Sequence, residues 1–294
     1  MPDPFRPRRS VLYMPGSNPR ALEKARSLPA DVLILDLEDA VSPDEKPKAR
    51  KLVAEAVTAG RFGPREVVVR INGLETAWGE DDLATTSAAG PDAILLPKVD
   101  SARDLQRCET AMGAAARGTR LWAMMETPMG VLNAQAIAAA TPRLACLVMG
   151  TNDLLKDLRG QSSADRAALL SGLGLCLLAA RAFGLACIDG VYNAFADLDG
   201  LRAECEQGRR MGFDGKTLIH PAQLEVANAV FAPSQDALAE ARAQLTAWKA
   251  AKAAGRGVAV LNGRIVENLH VENARRLIAQ DRAIRDRDGQ KATG

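Results

Sequence analysis

Short, almost uninterrupted apolar runs recur along most of the chain, each leaving through a polar residue into a stretch with helical spacing. The runs fall at residues 10–14, 32–36, 67–71, 93–96, 121–125, 145–149, 186–189 and 215–219. A strand with one wet face alternates apolar and polar positions, so continuous runs predict parallel strands covered on both faces. Between them, residues 19–28, 46–59 and 164–183 place apolar side chains on one helical face. Eight strand–helix alternations with right-handed crossovers predict an α/β fold, a (β/α)8 TIM barrel. An open doubly wound sheet is the alternative, but it usually has fewer strands, and no GxGxxG follows the first run.

The pattern changes after Ala232. Pro233 and Ser234 open an Ala-rich helix over 235–254, followed by a short run at 258–261, the turn Asn262-Gly263 and a final helix near 270–285. Asn-Gly between apolar runs signals a hairpin. Residues 286–294 are polar and expected to fray. The division expected is a barrel over 1–232 and a helical and hairpin extension over 233–294. That extension is expected to lack a core of its own and to pack on the barrel or on a neighbouring subunit.

Composition narrows the function classes. Lys and Arg number 38 against 36 Asp and Glu, a net charge of +2 that makes no electrostatic case for nucleic acid or a membrane surface. Aromatic residues are only 4%, too few for base-stacking platforms. No run approaches the roughly 18 apolar residues of a membrane span, and MPDPFRPRRS is not followed by the apolar stretch of a secretory signal. Cys108, Cys146, Cys176, Cys187 and Cys205 are scattered without a CxxC, as expected for buried free thiols in a reducing compartment. A cytoplasmic enzyme is the expectation.

The exits of the runs carry the candidate chemistry. They read PGSN, Asp36-Leu37-Glu38-Asp39, Arg70-Ile71-Asn72-Gly73, Pro97-Lys98, Glu126-Thr127-Pro128, Gly150-Thr151-Asn152-Asp153, Asp189 and His220-Pro221. A barrel gathers all these ends around one mouth. Carboxylates just after apolar runs cost several kcal/mol if unpaired, so a cation is implied. Glu126 and Asp153 leave adjacent strands, and two hard oxygen ligands from protein are how Mg²⁺ is usually held; taken singly, each could be a loop charge or a helix cap. Arg70 ends a buried strand and needs an anion, either a structural carboxylate or a substrate oxygen. Pro15–Pro19 with Arg20 and Lys24 offers free backbone N–H groups and cations to a phosphate, with an ordinary turn as the even alternative. His220 is as readily structural as a ligand. No HxxxH, HExxH or GxSxG occurs, which disfavours zinc hydrolases and nucleophile-elbow enzymes. Lys98 and Lys216 are the candidates for a Schiff base, but neither accounts for the acidic pair.

Taken together, RRSVLYMPGSN, LDLEDAV with a following Pro43-x-x-Lys46, VVVRING, LLPKVD, METPMG, MGTNDL, GFDGKTLIHPAQ and NGRIVE resemble the citrate lyase β-subunit-like family. That family is a branch of the malyl-CoA and citramalyl-CoA lyases in the HpcH/HpaI aldolase–citrate lyase superfamily, and the likeness spans residues 8–277. It implies a Mg²⁺-dependent barrel, with Mn²⁺ as alternate ion, that cleaves a 3-hydroxy-3-carboxyacyl-CoA such as malyl-CoA or citramalyl-CoA to acetyl-CoA, or another acyl-CoA, and a 2-oxo acid. By this likeness Glu126 and Asp153 hold the metal, Arg70 and Glu126 touch substrate, and Tyr13, Lys24, Ile219 and His220 line the CoA or acyl site. Asn18 stands where malyl-CoA lyases tend to carry an arginine, and Glu267 where the family carries a catalytic Asp supplied by a neighbouring subunit. The likeness therefore implies a homo-oligomer, a trimer by preference.

In that chemistry Arg70 stabilises developing oxygen charge, Glu267 is the general acid, and Asp36, Glu38 and Asp39 orient metal-bound water and Arg70 rather than bind the ion. Two other activities share the site. One is hydrolysis of the CoA thioester, and the other is action on an acyl-carrier-protein thioester inside a citrate lyase complex. A metal-dependent sugar-diacid aldolase is disfavoured because both histidines, His220 and His270, come late.

Overall fold

A computed structural model describes residues 6–113, 116 and 118–292. The chain forms two compact units whose boundary falls between Phe231 and Ala232. The larger, Arg8–Phe231, is a closed barrel of eight parallel strands in sequence order. They are β1 Ser10–Pro15, β2 Val32–Asp36, β3 Glu66–Arg70, β4 Ala93–Leu96, β5 Arg120–Met125, β6 Leu144–Met149, β7 Ala186–Asp189 and β8 Gly215–Leu218. Each lies within one residue of the run that predicts it, and β1 closes on β8 through Ser10↔Lys216 and Val11↔Thr217.

Most of the strands are apolar through their middles because they feed two cores. One set of alternate residues, including Val11, Ile34, Val68, Leu95, Met124, Val148 and Ile188, fills the barrel interior. The other set, including Leu12, Leu35, Val69, Ile94 and Leu147, packs against helix residues such as Ala49, Val53, Leu105 and Leu173. Side chains i and i+2 of a strand share a face, and each fully buried Val, Leu or Ile contributes about 1.5–3 kcal/mol. All five cysteines are buried and free, and no helix among the described residues is long and apolar enough to cross a membrane.

One helix starts later than its apolar pattern suggests. The helix expected over 164–183 runs Leu170–Ala182. Arg166 has a left-handed backbone (φ 56°) and turns its guanidinium onto the buried Asp189 at 2.7 Å. An ion pair thus takes the place of the helix's first turn.

The second unit comprises the helix Gln235–Ala253, a hairpin of β9 Ala259–Leu261 and β10 Arg264–Val266, and the helix Asn268–Ala292. Asn262 and Gly263 both have positive φ, 49° and 74°, as a two-residue hairpin turn requires. Two expectations are corrected here. Trp248, Ala251, Ala259, Val266 and Val271 bury one another, so the extension does have a small core. The final helix continues through Ala292 rather than fraying at 286, and residues 293–294 lie outside the described residues.

Candidate active site

The period of two along each strand builds the mouth. Two residues beyond Val11, Ile34, Val68, Met124 and Val148 of the interior core stand Tyr13, Asp36, Arg70, Glu126 and Gly150. The strand ends therefore turn one tyrosine, two carboxylates and one guanidinium over the top of an apolar plug. No sequence spacing brings these residues together, only closure of the sheet.

Asp36 and Arg70 are register partners on β2 and β3. Arg70 Nε and Nη2 donate to the two Asp36 oxygens, both at 2.7 Å, a bidentate pair between buried groups. Arg70 Nη1 lies 2.7 Å from Glu38 Oε2 and 3.4 Å from Asp39 Oδ2. The guanidinium carbon stands 4.9 Å over the Tyr13 ring. Of the two anions the sequence leaves open for Arg70, the fork has taken the structural one. Asp36 in turn accepts from the Glu38 and Ala40 N–H groups at 2.9 and 3.1 Å, which shapes the β2 exit around it. Burial pushes the Glu38 carboxyl up, against the pull of Arg70, while Asp36 and Glu38 hold Arg70 protonated despite its own burial.

Glu126 is only 3% exposed. One hydrogen bond reaches it, from the Lys98 backbone N–H to Oε1 at 2.8 Å, and no cationic group of the described residues pairs with it within 4.0 Å. Burial, with Glu38 as a like charge, pushes its carboxyl up to about 7; the Lys98 N–H and Arg70 pull the other way, and Asp153 raises it further. Gly150 keeps the adjacent strand clear, since a Cβ there would sit 2.5 Å from Glu126 Oε2. Asp153 lies in the first turn of the helix Thr151–Asp157, but the cap residue is Gly150, so its carboxylate is not spent on capping. A buried carboxylate that no cationic group of the described residues pairs with directly, and that a second, half-exposed carboxylate raises further, fits a divalent cation. Two protein oxygens suffice for an ion that keeps water and substrate in its other positions. Among the described residues no group of three or more His, Cys, Asp or Glu is arranged to hold a metal, which disfavours an all-protein cage.

Lys98 is a site residue that the sequence treats only as a Schiff-base candidate. Its φ of 49° turns the peptide so that the N–H meets Glu126, while its half-exposed ammonium stands 3.5 Å from Glu38. Burial lowers its pKa, but the surrounding carboxylates, Glu38 first, raise it more, so it stays charged. Lys216 is no Schiff-base lysine. It faces away from the interior, fully buried between Asp189 at 3.1 Å and Glu204 at 2.6 Å, and the two acids keep it protonated. Asp189 is thereby removed from the mouth as well.

Other expected residues have local duties. Asn18 caps the helix Pro19–Ala25 by accepting from Ala21 N–H, and the N–H groups of Gly16 and Asn18 go to Asp36 and Pro15 carbonyls. The expected set of free N–H groups for phosphate is therefore largely spent, while Lys24 remains exposed on that helix. His220 caps the turn at Pro221–Gln223, its Nδ1 accepting from Ala222 N–H at 3.1 Å, and its ring lies 4.7 Å from Phe195. Ile219 is 41% exposed and its N–H donates to the buried Gln223. In the second unit the exposed Glu267 precedes the helix Asn268–Ala292, its N–H donating to His270 Nδ1 at 3.1 Å.

Residues 9–221 match the family described as HpcH/HpaI aldolase/citrate lyase. Over 278 residues the chain is 57% identical to a protein named (3S)-malyl-CoA thioesterase from Cereibacter sphaeroides, covering 95% of this chain and 96% of that one. It is 35% identical to citrate lyase subunit beta of Escherichia coli, over 94% of this chain and 93% of the relative. Among solved structures it is similar to CitE of Mycobacterium tuberculosis in complex with magnesium, acetoacetate and coenzyme A. The TM-score is 0.75 at 31% identity, over 92% of this chain and 97% of that one.

Proposed function

Because this chain belongs to the HpcH/HpaI aldolase/citrate lyase family, we propose that it hydrolyses the thioester of a malyl-type CoA, releasing free CoA and a 2-hydroxy diacid. The observation that carries this reading is the 57% identity to (3S)-malyl-CoA thioesterases, sustained over 95% of the chain. It reverses the order suggested by the sequence motifs, in which carbon–carbon cleavage came first.

Glu126 and Asp153 would hold Mg²⁺. When bound, the ion supplies Lewis-acid charge for the hydroxyl and carboxylate of the substrate. The chain's own residues do the rest. Arg70, fixed by Asp36 and backed by Tyr13, presents an undissociable positive charge to the mouth, where negative charge gathers on the thioester oxygen as water adds. Glu38 and the Lys98 N–H fix the positions of Arg70 and Glu126. Glu267 of a neighbouring copy, reaching over the mouth in a homo-oligomer, would take the proton of the attacking water. The water oxygen bonds to the acyl carbon, the C–S bond breaks, and that proton leaves on the CoA sulfur.

The likeness to citrate lyase subunit beta favours a second reading, cleavage of the C2–C3 bond to acetyl-CoA and a 2-oxo acid. One experiment separates them. The protein is incubated with Mg²⁺ and malyl-CoA, citramalyl-CoA and related 3-hydroxy-3-carboxyacyl-CoA esters, and products are identified by mass spectrometry. Free CoA with the intact hydroxy diacid is expected. Acetyl-CoA with a 2-oxo acid would replace the hydrolase by the lyase, and no turnover of any ester would remove the substrate class.

A further inference from the structure

Lys46 is a buried charge that the reaction above leaves without a task. It opens the helix Lys46–Ala59 and is only 6% exposed. Its ammonium donates to the carbonyl oxygens of Leu37 at 3.0 Å and Glu38 at 2.9 Å and to Asn72 Oδ1 at 2.7 Å. An ammonium has three donors, so every one is used, and none meets a carboxylate. The Trp78 ring lies 5.1 Å from Nζ. Asn72, itself buried, passes the connection on: its Nδ2 donates to Leu37 O at 2.9 Å and to Asp82 Oδ2 at 2.6 Å. The fully buried Asp82 is paired with Arg50 at 2.6 Å.

The placement of the acceptors is what matters. Leu37 and Glu38 directly follow Asp36 at the exit of β2, and Asn72 stands two residues past Arg70 at the exit of β3. Lys46 therefore joins the two exits that carry the halves of the Asp36–Arg70 fork. No carboxylate accepts from the ammonium directly; burial lowers its pKa, although Asp36, Glu38, Asp82 and Asp39 all favour its charged form. Three charge-assisted donors at one point hold three acceptors in one arrangement, which a neutral amide in the same place could not do.

We infer that Lys46 is a positioning residue. Through the Leu37 and Glu38 carbonyls and Asn72 it locks the β2 and β3 exits, so that Asp36 and Glu38 hold the Arg70 guanidinium in a single orientation. The inference rests on the reading that Arg70 faces the substrate, and its test has one arm that needs no substrate.

Lys46→Met keeps the length and removes the donors. The expected result is a fall in kcat on the order of tenfold or more, with KM changed by less than about threefold. In ¹⁵N-arginine NMR, the Arg70 Nε–H, assigned by its disappearance in Arg70→Lys, should lose its protection from exchange. The double variant Lys46→Met/Arg70→Lys should be no slower than Arg70→Lys alone, because both changes remove the same thing. Should Lys46→Met fail to fold, Asn72→Ala breaks the same connection and is read in the same way. A folded variant with wild-type kcat and a protected Arg70 Nε–H would overturn the inference, as would fully multiplicative losses in the double variant. Wild-type protein that turns over none of the CoA esters would defeat the proposed function, and the NMR arm would still decide the role of Lys46.

Discussion

Asp36 and Arg70 face each other across the last register pair of β2 and β3, and both Asp36 oxygens receive an Arg70 N–H at 2.7 Å. A guanidinium so clamped cannot swing to follow a substrate. Its charge sits at a fixed point, with Tyr13 behind it and Glu38 at its side, and the role proposed for it would draw on that preorganisation.

Replacing Arg70 with Lys retains the charge and loses the fork. A single ammonium cannot bridge both Asp36 oxygens and Glu38 together. We expect kcat/KM to fall at least tenfold, about 1.4 kcal/mol, in steady-state assays of CoA release. Unchanged kinetics would relieve the fork of any part in the reaction.

Glu126→Gln and Asp153→Asn each remove a charged oxygen and little volume. Both should abolish turnover while leaving circular dichroism and cooperative melting in place. Isothermal titration with Mg²⁺ or Mn²⁺ should lose its signal in both variants. Two active variants that still respond to chelators would mean that the ion is held elsewhere.

The raised carboxyl of Glu126 gives a pH signature with a defined sign. Its folded value of about 7 exceeds the usual 4.5, so the folded state binds the proton more tightly than the unfolded chain. The contribution to stability is complete below about 4.5 and is lost as pH rises through about 7. Cation-free protein should therefore lose stability over that window more steeply than Glu126→Gln, as read by urea unfolding at a series of pH values. Added Mg²⁺ should raise Tm more at pH 8 than at pH 6, since below about 7 the ion must displace a proton. An equal rise at both pH values would contradict the assignment.

Lys216 joins Asp189 and Glu204 in a buried network that also holds Arg166. Lys216→Met leaves the buried Asp189 with Arg166 as its remaining cationic partner and takes the shorter of two ion pairs from the half-buried Glu204. Removing one partner of a buried pair typically costs about 3–5 kcal/mol, and the shared Arg166 should hold the loss to the lower end. A matching loss in denaturant unfolding is expected, and borohydride with a 2-oxo acid should trap no adduct on the wild-type lysine. A trapped adduct at Lys216 would restore the Schiff-base candidate.

Glu267 can be tested by complementation. Co-expressed Glu267→Ala and Glu126→Gln, each inactive alone, should regain activity in mixed oligomers if an acid from one copy serves the metal site of another. Verified mixed oligomers without activity would end the shared-site proposal. An active Glu267→Ala enzyme would remove this carboxylate from the reaction.

The sequence by itself determined the architecture and which charged residues stand at the strand exits. Eight short runs, most of them continuously apolar, called for strands covered on both faces, and each observed strand lies within one residue of its run. A charge at the end of such a run has to stand at the rim, which is why Asp36, Arg70 and Glu126 were legible as candidates. What the tertiary structure decided is who partners whom. Which carboxylates Arg70 meets, whether Asp189 faces the mouth or Lys216, and whether Asp153 caps its helix or stands free all depend on register and on the face each residue takes. Lys46 was visible only as one letter of a motif. Its task depends on carbonyl oxygens of the β2 exit and an amide of the β3 exit that meet only when the barrel closes. Apolar periodicity is a property of neighbours along the chain, which a sequence displays. Hydrogen-bond and ion pairing is a property of neighbours across strands, which only the closed sheet brings within 3 Å.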